Sequence, residues 1–189
     1  MRIGTAIAVL CWLLLQPAAA QERRELGAHQ HGHGTLNIAI EGTRVSMELE
    51  VPGNDIVGFE HAAKTKAQRA AVEKAKTQLG APLSLFRFPT AAGCAVKQAD
   101  VKIEGGAEKV AAKPKAGSKH ADHDHAHSEF HVEYALDCSA IASLTSIEFP
   151  YFDAFKGAEE LEVSIITPKG QSKFEVKNSN PRLDLSGIM

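Results

Sequence analysis

Beyond its first twenty residues the chain has no long apolar run, no basic excess and few aromatic or sulfur-containing side chains. Phe, Trp and Tyr together make up 6% of the 189 residues, and there are three Met and three Cys. With residues 1–20 set aside, 20 Lys and Arg stand against 23 Asp and Glu. The lack of a later apolar run argues against a membrane-embedded body. The lack of a basic face argues against nucleic acid as a partner.

The common catalytic motifs are missing as well. The sequence has no HExxH, no GxSxG and no phosphate-binding P-loop motif. The run from His123 to His127 does not continue into the H-x-H-x-D-H spacing of a metallo-hydrolase. We therefore expect that the protein is not an enzyme. A zinc enzyme is kept as an alternative, with Glu60 beside His61 as its candidate general base.

The first twenty residues have the pattern of an export signal. Arg2 precedes an apolar run over residues 6–15, and three Ala residues at 18–20 provide a cleavage site. The apolar run is too short to span a bilayer comfortably, although a retained anchor is an alternative. We predict a cleaved signal peptide over 1–20, a periplasmic location and one metal-binding domain over 21–189.

Export bears on the two cysteines that remain after cleavage, Cys94 and Cys138. A single pair in an oxidising compartment suggests a disulfide. Two buried free thiols are the alternative. A zinc site built from cysteine and histidine is less expected, because neither Cys has a CxxC or CxH neighbour.

Histidine is the residue type that stands out, with nine copies. Five lie in the run H-A-D-H-D-H-A-H-S-E-F-H over residues 120–131. Neutral imidazole is a common zinc ligand, and short His-rich tracts are typical of metal binding. A solvated loop that merely contains histidine is the alternative. The candidate ligands are His29, His31, His33, His61, His123, His125, His127 and His131, with Asp122, Asp124 and Glu129 as second choices.

Hydrophobic periodicity predicts the fold class. Apolar residues alternate with polar ones over 36–51 and again over 130–138, which is typical of half-buried strands, and the second pattern turns His131 away from the core. Residues 62–79 are rich in helix-forming side chains. Residues 105–127 form a low-complexity, His-rich insert. We predict an α+β, β-rich fold of antiparallel hairpins with one main helix and a flexible His-rich loop.

Several short motifs, taken in order, resemble those of a known family. They are His29-x-His31-Gly32-x-x-x-Leu36 before a hairpin, Val57-Gly58-Phe59-Glu60-His61, Cys94, the His-rich insert, and His127-Ser128-Glu129-Phe130 leading to Tyr134 and Cys138. Together they resemble the ZrgA-like periplasmic zinc-binding proteins over nearly all of the chain after residue 20. The resemblance implies a soluble periplasmic protein that binds Zn2+ and assists a zinc-import ABC transporter of the inner membrane.

Within that hypothesis, a structured site is expected to draw on ligands beside the fold, such as His31, His61, His127 and His131. The loop histidines would form a weaker site for several ions. A periplasmic protein that sequesters copper or nickel is the main alternative, because imidazole also binds those ions. An adhesive or structural β-module with an incidental His tract is another, and it predicts that metal changes nothing.

Overall fold

The structure is a computed structural model that describes residues 30–105 and 127–189. The predicted signal peptide and nearly all of the predicted insert therefore lie outside the described residues. The elements in chain order are β1 (His33–Glu41), β2 (Arg44–Pro52), α1 (Gly53–Val57), α2 (Lys66–Leu79), α3 (Pro82–Leu85), β3 (Cys94–Gly105), β4 (Ser128–Cys138), β5 (Ser146–Glu148), α4 (Tyr151–Ala154), β6 (Glu160–Thr167), β7 (Gly170–Lys177) and β8 (Arg182–Asp184). The predicted β-rich α+β class is confirmed.

Six strands form one mixed sheet in the order β3-β4-β2-β1-β6-β7, and β5 pairs with β8 in a small second sheet. The predicted hairpin is β1–β2, which turns at Gly42 with φ of 60°. All neighbours in the large sheet are antiparallel except β1 and β6, which run parallel. This parallel pair joins the N-terminal hairpin to the C-terminal one, and the predicted set of antiparallel hairpins did not include it.

One face of the large sheet is buried and the other, called here the outer face, carries polar side chains. In β4, Phe130, Val132 and Tyr134 are each at most 3% exposed, whereas the residues between them lie on the outer face. The buried face is continuous with a core that includes Leu79 of α2 and an aromatic cluster around Phe86. The alternation thus turns His131 to the outer face, as predicted.

The main helix, α2, ends at Leu79 as predicted but begins at Lys66 rather than at residue 62. A capping box explains the later start: Gln68 N donates to Thr65 Oγ1, and Gln68 Oε1 accepts from Thr65 N. These bonds satisfy N–H groups that the first turn leaves without partners. The capping box at Thr65 therefore sets the start of the helix, although the composition of residues 62–65 also favours helix.

Cys94 and Cys138 form a disulfide, which confirms the predicted pair. They lie directly opposite each other where β3 begins and β4 ends. In the described part of the chain, no helix is long and apolar enough to cross a membrane.

Candidate metal centre

The centre of the candidate site is the Glu60 carboxylate, which lies between two of the predicted histidine ligands. His31 Nε2 is 3.0 Å from Glu60 Oε1, and His127 Nδ1 is in direct contact with Glu60 Oε2. The Glu60 side chain is 12% exposed, whereas those of His31 and His127 are more than half exposed. Two exposed imidazoles therefore converge on one nearly buried carboxylate.

The backbone around Glu60 is held by its neighbours in space. Gly58 ends α1 in the left-handed conformation, with φ of 80°, and directs the following residues back toward β4. Ser128 N, at the start of β4, donates to Glu60 O at 2.8 Å. This bond brings the residue before Ser128, which is His127, up to the Glu60 side chain.

His31 is held through its neighbour Gly32. Gly32 N donates to both carboxylate oxygens of Asp55 at 2.9 Å, and Gly32 O accepts from Glu159 N and Glu160 N at 2.8 Å each. Gly32 has φ of 85°, and a Cβ there would lie 3.1 Å from the Glu159 side chain. The position therefore favours glycine both in conformation and in space.

A second carboxyl group, that of Asp55, lies near His31 and Glu60. Its side chain is buried, and desolvation raises the pKa of its carboxyl group, while the bond from Gly32 and the nearby His31 act in the opposite direction. Glu60 also contributes to raising this pKa. The carboxyl groups of Asp55 and Glu60 thus lie close to each other and to His31.

His131 belongs to a different group of carboxylates. Its Nε2 is 3.0 Å from Glu129 Oε2 and 3.8 Å from Glu104 Oε2, and its Nδ1 is 3.4 Å from Glu50 Oε1. Its side chain is 16% exposed. The group lies on the outer face of the large sheet and spans the adjacent strands β2, β4 and β3.

The other two described histidines lie in separate surroundings. His33 Nδ1 is 3.6 Å from Glu160 Oε1 across the β1–β6 pair. The His61 ring stacks on Phe59 with centroids 5.1 Å apart, and its Nδ1 lies 2.9 Å from Ala62 O. Of the four histidines expected to share one structured site, the structure brings His31 and His127 together at Glu60.

The remaining candidates, His29, His123 and His125, lie outside the described residues, as do Asp122 and Asp124. Within residues 30–105 and 127–189, no group of three or more His, Cys, Asp or Glu side chains is arranged so that it could hold a metal ion as it stands. The side chains at Glu60 are at hydrogen-bond distances, so a bound ion would have to draw them around itself.

Sequence reasoning gave Glu60 only as a candidate general base and did not select Glu50, Glu104 or Glu160 at all. One signal for Glu60 was its place directly before His61 in the motif over residues 57–61. The other three are outward-facing residues of strands, and only the strand order and register place them beside histidines.

A family model described as ZrgA family zinc uptake protein matches residues 28–185. The chain belongs to the ZrgA family. The match includes His31, Glu60, His127 and His131 as well as both cysteines, and the family description gives this ZrgA-family chain a role in zinc uptake. No curated protein matches the chain.

Proposed function

We propose that the protein captures Zn2+ in the periplasm for import, and that His31, Glu60 and His127 form the zinc site that the fold itself provides. A zinc-import ABC transporter of the inner membrane is the proposed recipient of the ion. Export by a cleaved signal over residues 1–20 is part of this proposal. The role is binding and transfer rather than catalysis.

One observation carries the proposal. Glu60 Oε1 is buried and, among the described residues, no donor meets it with hydrogen-bond geometry, although His31 Nε2 is only 3.0 Å away. An orphaned buried carboxylate oxygen is costly, and a cation would satisfy it. Zinc bonds of about 2.0–2.2 Å in tetrahedral geometry place neighbouring ligand atoms roughly 3.3 Å apart, so the three side chains would have to move apart to admit an ion.

The exposure of the two imidazoles suits capture and release. His31 and His127 can rotate toward solvent to take up or give away an ion, while Glu60 stays fixed. The proposal also retains the loop histidines: His29 precedes His31 by two residues, and His125 precedes His127 by two. Ions collected by these neighbours in sequence would have a short path to Glu60.

Calorimetry on the chain from residue 21 to 189, with a competing chelator, tests the site. Glu60→Gln is expected to weaken the tightest zinc binding by at least tenfold, because it removes the carboxylate that lies between the two imidazoles. Glu73→Gln is the matched control, since Glu73 is an exposed residue of α2 that pairs with Lys76. Equal affinity of E60Q and the parent chain would refute the site.

Growth experiments in the source organism test the physiological role. Deletion of the protein is expected to impair growth in zinc-poor medium, with rescue by added zinc or by the intact chain but not by E60Q. Sensitivity to excess copper or nickel, together with normal growth in zinc-poor medium, would instead support the sequestration alternative.

A further inference from the structure

We propose that the exposed side of α2 is a docking surface for an anionic phospholipid membrane. Three of its side chains, Lys66, Arg69 and Lys74, form what is called here the basic face, and they hold the protein reversibly against lipid headgroups. This inference goes beyond zinc capture and uses no residue of the Glu60 cluster. Its test and the test of the zinc site can therefore fail independently.

The charge of this helix differs from that of the chain around it. Residues 62–79 contain five Lys and Arg and one acidic residue, Glu73, whereas the whole chain has a formal net charge of −2. Glu73 pairs with Lys76 at 3.3 Å. Among the described residues, no carboxylate pairs with the three exposed side chains of the basic face. Arg69 donates to a backbone carbonyl oxygen, that of Lys64, which leaves its charge uncompensated.

The three cations lie on the same side of the helix. With 3.6 residues per turn, they fall on the half of α2 that is directed away from its two buried residues, Ala75 and Leu79. All three side chains are therefore able to reach one flat surface at the same time.

The stability of the helix does not account for these cations. Lys66 is the first residue of α2, and the first turn contains no acidic residue. The free N–H groups of a first turn carry partial positive charge, so a cation placed there is unfavourable for the helix. A lysine that opposes the helix dipole favours a role outside the helix.

The large sheet separates the basic face from a group of carboxylates. Tyr134 faces the core from β4 and donates to Leu79 O, which places α2 on the side of the sheet opposite the outer face. The outer face carries Glu48, Glu50 and Glu133. An anionic surface therefore attracts one side of the molecule and repels the other, which sets the orientation of docking.

The composition of the basic face favours lipid over a protein as the partner. Stable protein interfaces centre on buried apolar or aromatic side chains. In the described part of the chain, the large apolar side chains that are exposed, Leu83, Val96 and Ile166, all lie outside α2. Anionic headgroups require only positive charge near their surface, and each Lys or Arg strengthens the partitioning roughly fivefold.

Co-sedimentation of the chain from residue 21 to 189 with vesicles tests the proposal. At low salt, the chain is expected to bind vesicles of phosphatidylcholine with phosphatidylglycerol, to ignore vesicles of phosphatidylcholine alone, and to be released by high salt. K66Q/R69Q/K74Q should weaken the binding on the order of 100-fold, through three such contributions. K156Q/K173Q/K177Q removes the same charge from lysines that already pair with carboxylates, and it should keep the binding.

Further variants separate the basic face from other sources of binding. K109Q/K113Q/K115Q/K119Q removes the lysines of the insert and should still bind. Loss of binding in that variant, with binding kept in K66Q/R69Q/K74Q, would overturn the proposal. E60Q should bind vesicles as the parent chain does, so that refutation of the zinc site leaves the docking surface standing.

An acidic protein is the competing partner for the same cations. Backbone 15N spectra with a decaglutamate peptide as the probe distinguish it from lipid. Absence of vesicle binding by the parent chain would overturn the proposal, and a shift of α2 signals on addition of the peptide would then assign the basic face to an acidic protein.

Discussion

At the scale of single residues, two buried tyrosines of the aromatic core differ in one respect. The Tyr134 hydroxyl donates to Leu79 O at 2.8 Å, at the end of α2. The Tyr151 hydroxyl is buried and has no hydrogen-bond partner among the described residues. Burial raises the pKa of both phenols, so both stay neutral across the physiological range.

Removal of the two hydroxyl groups is therefore expected to have opposite consequences. Tyr134→Phe should lower the free energy of unfolding by about 1–3 kcal/mol, because a carbonyl oxygen of the core loses its donor. Tyr151→Phe should leave that free energy unchanged or raise it, because a desolvated hydroxyl is removed. Urea unfolding of the two variants beside the parent chain measures both effects, and a larger loss for Y151F would contradict this account.

The direction of His131 illustrates how far single-residue prediction reaches. The period of two over residues 130–138 was enough to predict that His131 faces outward and Tyr134 faces the core. Its partners Glu50 and Glu104 come from strands separated from it by many residues, and their proximity depends on the register between strands. A single sequence carries no direct signal of that register, so His131 and the nearby Glu129 could be selected from the sequence, whereas Glu50 and Glu104 could not.

At the scale of elements, the disulfide links β3 to β4 at one end of this strand pair, and His127 and His131 lie toward the other end. Its cysteines are 44 residues apart in sequence, with the His-rich segment between them. β4 runs from Ser128 to Cys138, so the bond is a full strand length from His127. The disulfide and the Glu60 cluster should therefore affect different properties of the protein.

Replacement of both cysteines by Ala is expected to lower the free energy of unfolding by about 4 kcal/mol on a loop-entropy model, because the unfolded chain gains freedom. Zinc affinity below the unfolding transition should change by less than about twofold. Urea unfolding and calorimetry on the same samples check the two statements. A large loss of zinc affinity in the folded variant would show that the strand pair transmits the constraint to Glu60.

Boundaries of elements were harder to predict than their type. The composition of residues 62–65 favours helix, yet the capping box at Thr65 sets the start of α2. The short helices α1 and α4 have five and four residues, too few for a periodic signal to emerge. Tertiary packing decides the conformation of such segments.

At the scale of the whole molecule, the parallel β1–β6 pair determines the layout. The alternating patterns predict which face of each strand is buried. They do not predict which strands lie next to each other, so each hairpin could have paired with another strand. The side-by-side placement of β1 and β6 leaves their N-terminal ends together, which brings Glu159 and Glu160 to Gly32 and so helps to fix His31. The location of the candidate metal centre thus depends on a long-range pairing that no local pattern specifies.

The same layout predicts which zinc ions stabilise the fold. His31, Glu60 and His127 come from three distant segments, so an ion held by all three binds the native state and not the unfolded chain. Such an ion raises the free energy of unfolding by about 2.7 kcal/mol at a free concentration one hundred times its Kd. Histidines close in sequence bind zinc in either state and contribute little to this shift.

Urea unfolding with and without zinc should therefore show the shift in the parent chain and in an H120Q/H123Q/H125Q variant, and a smaller shift in E60Q. A shift that persists in full in E60Q and disappears with the loop histidines would mean that the stabilising ion binds at the loop instead.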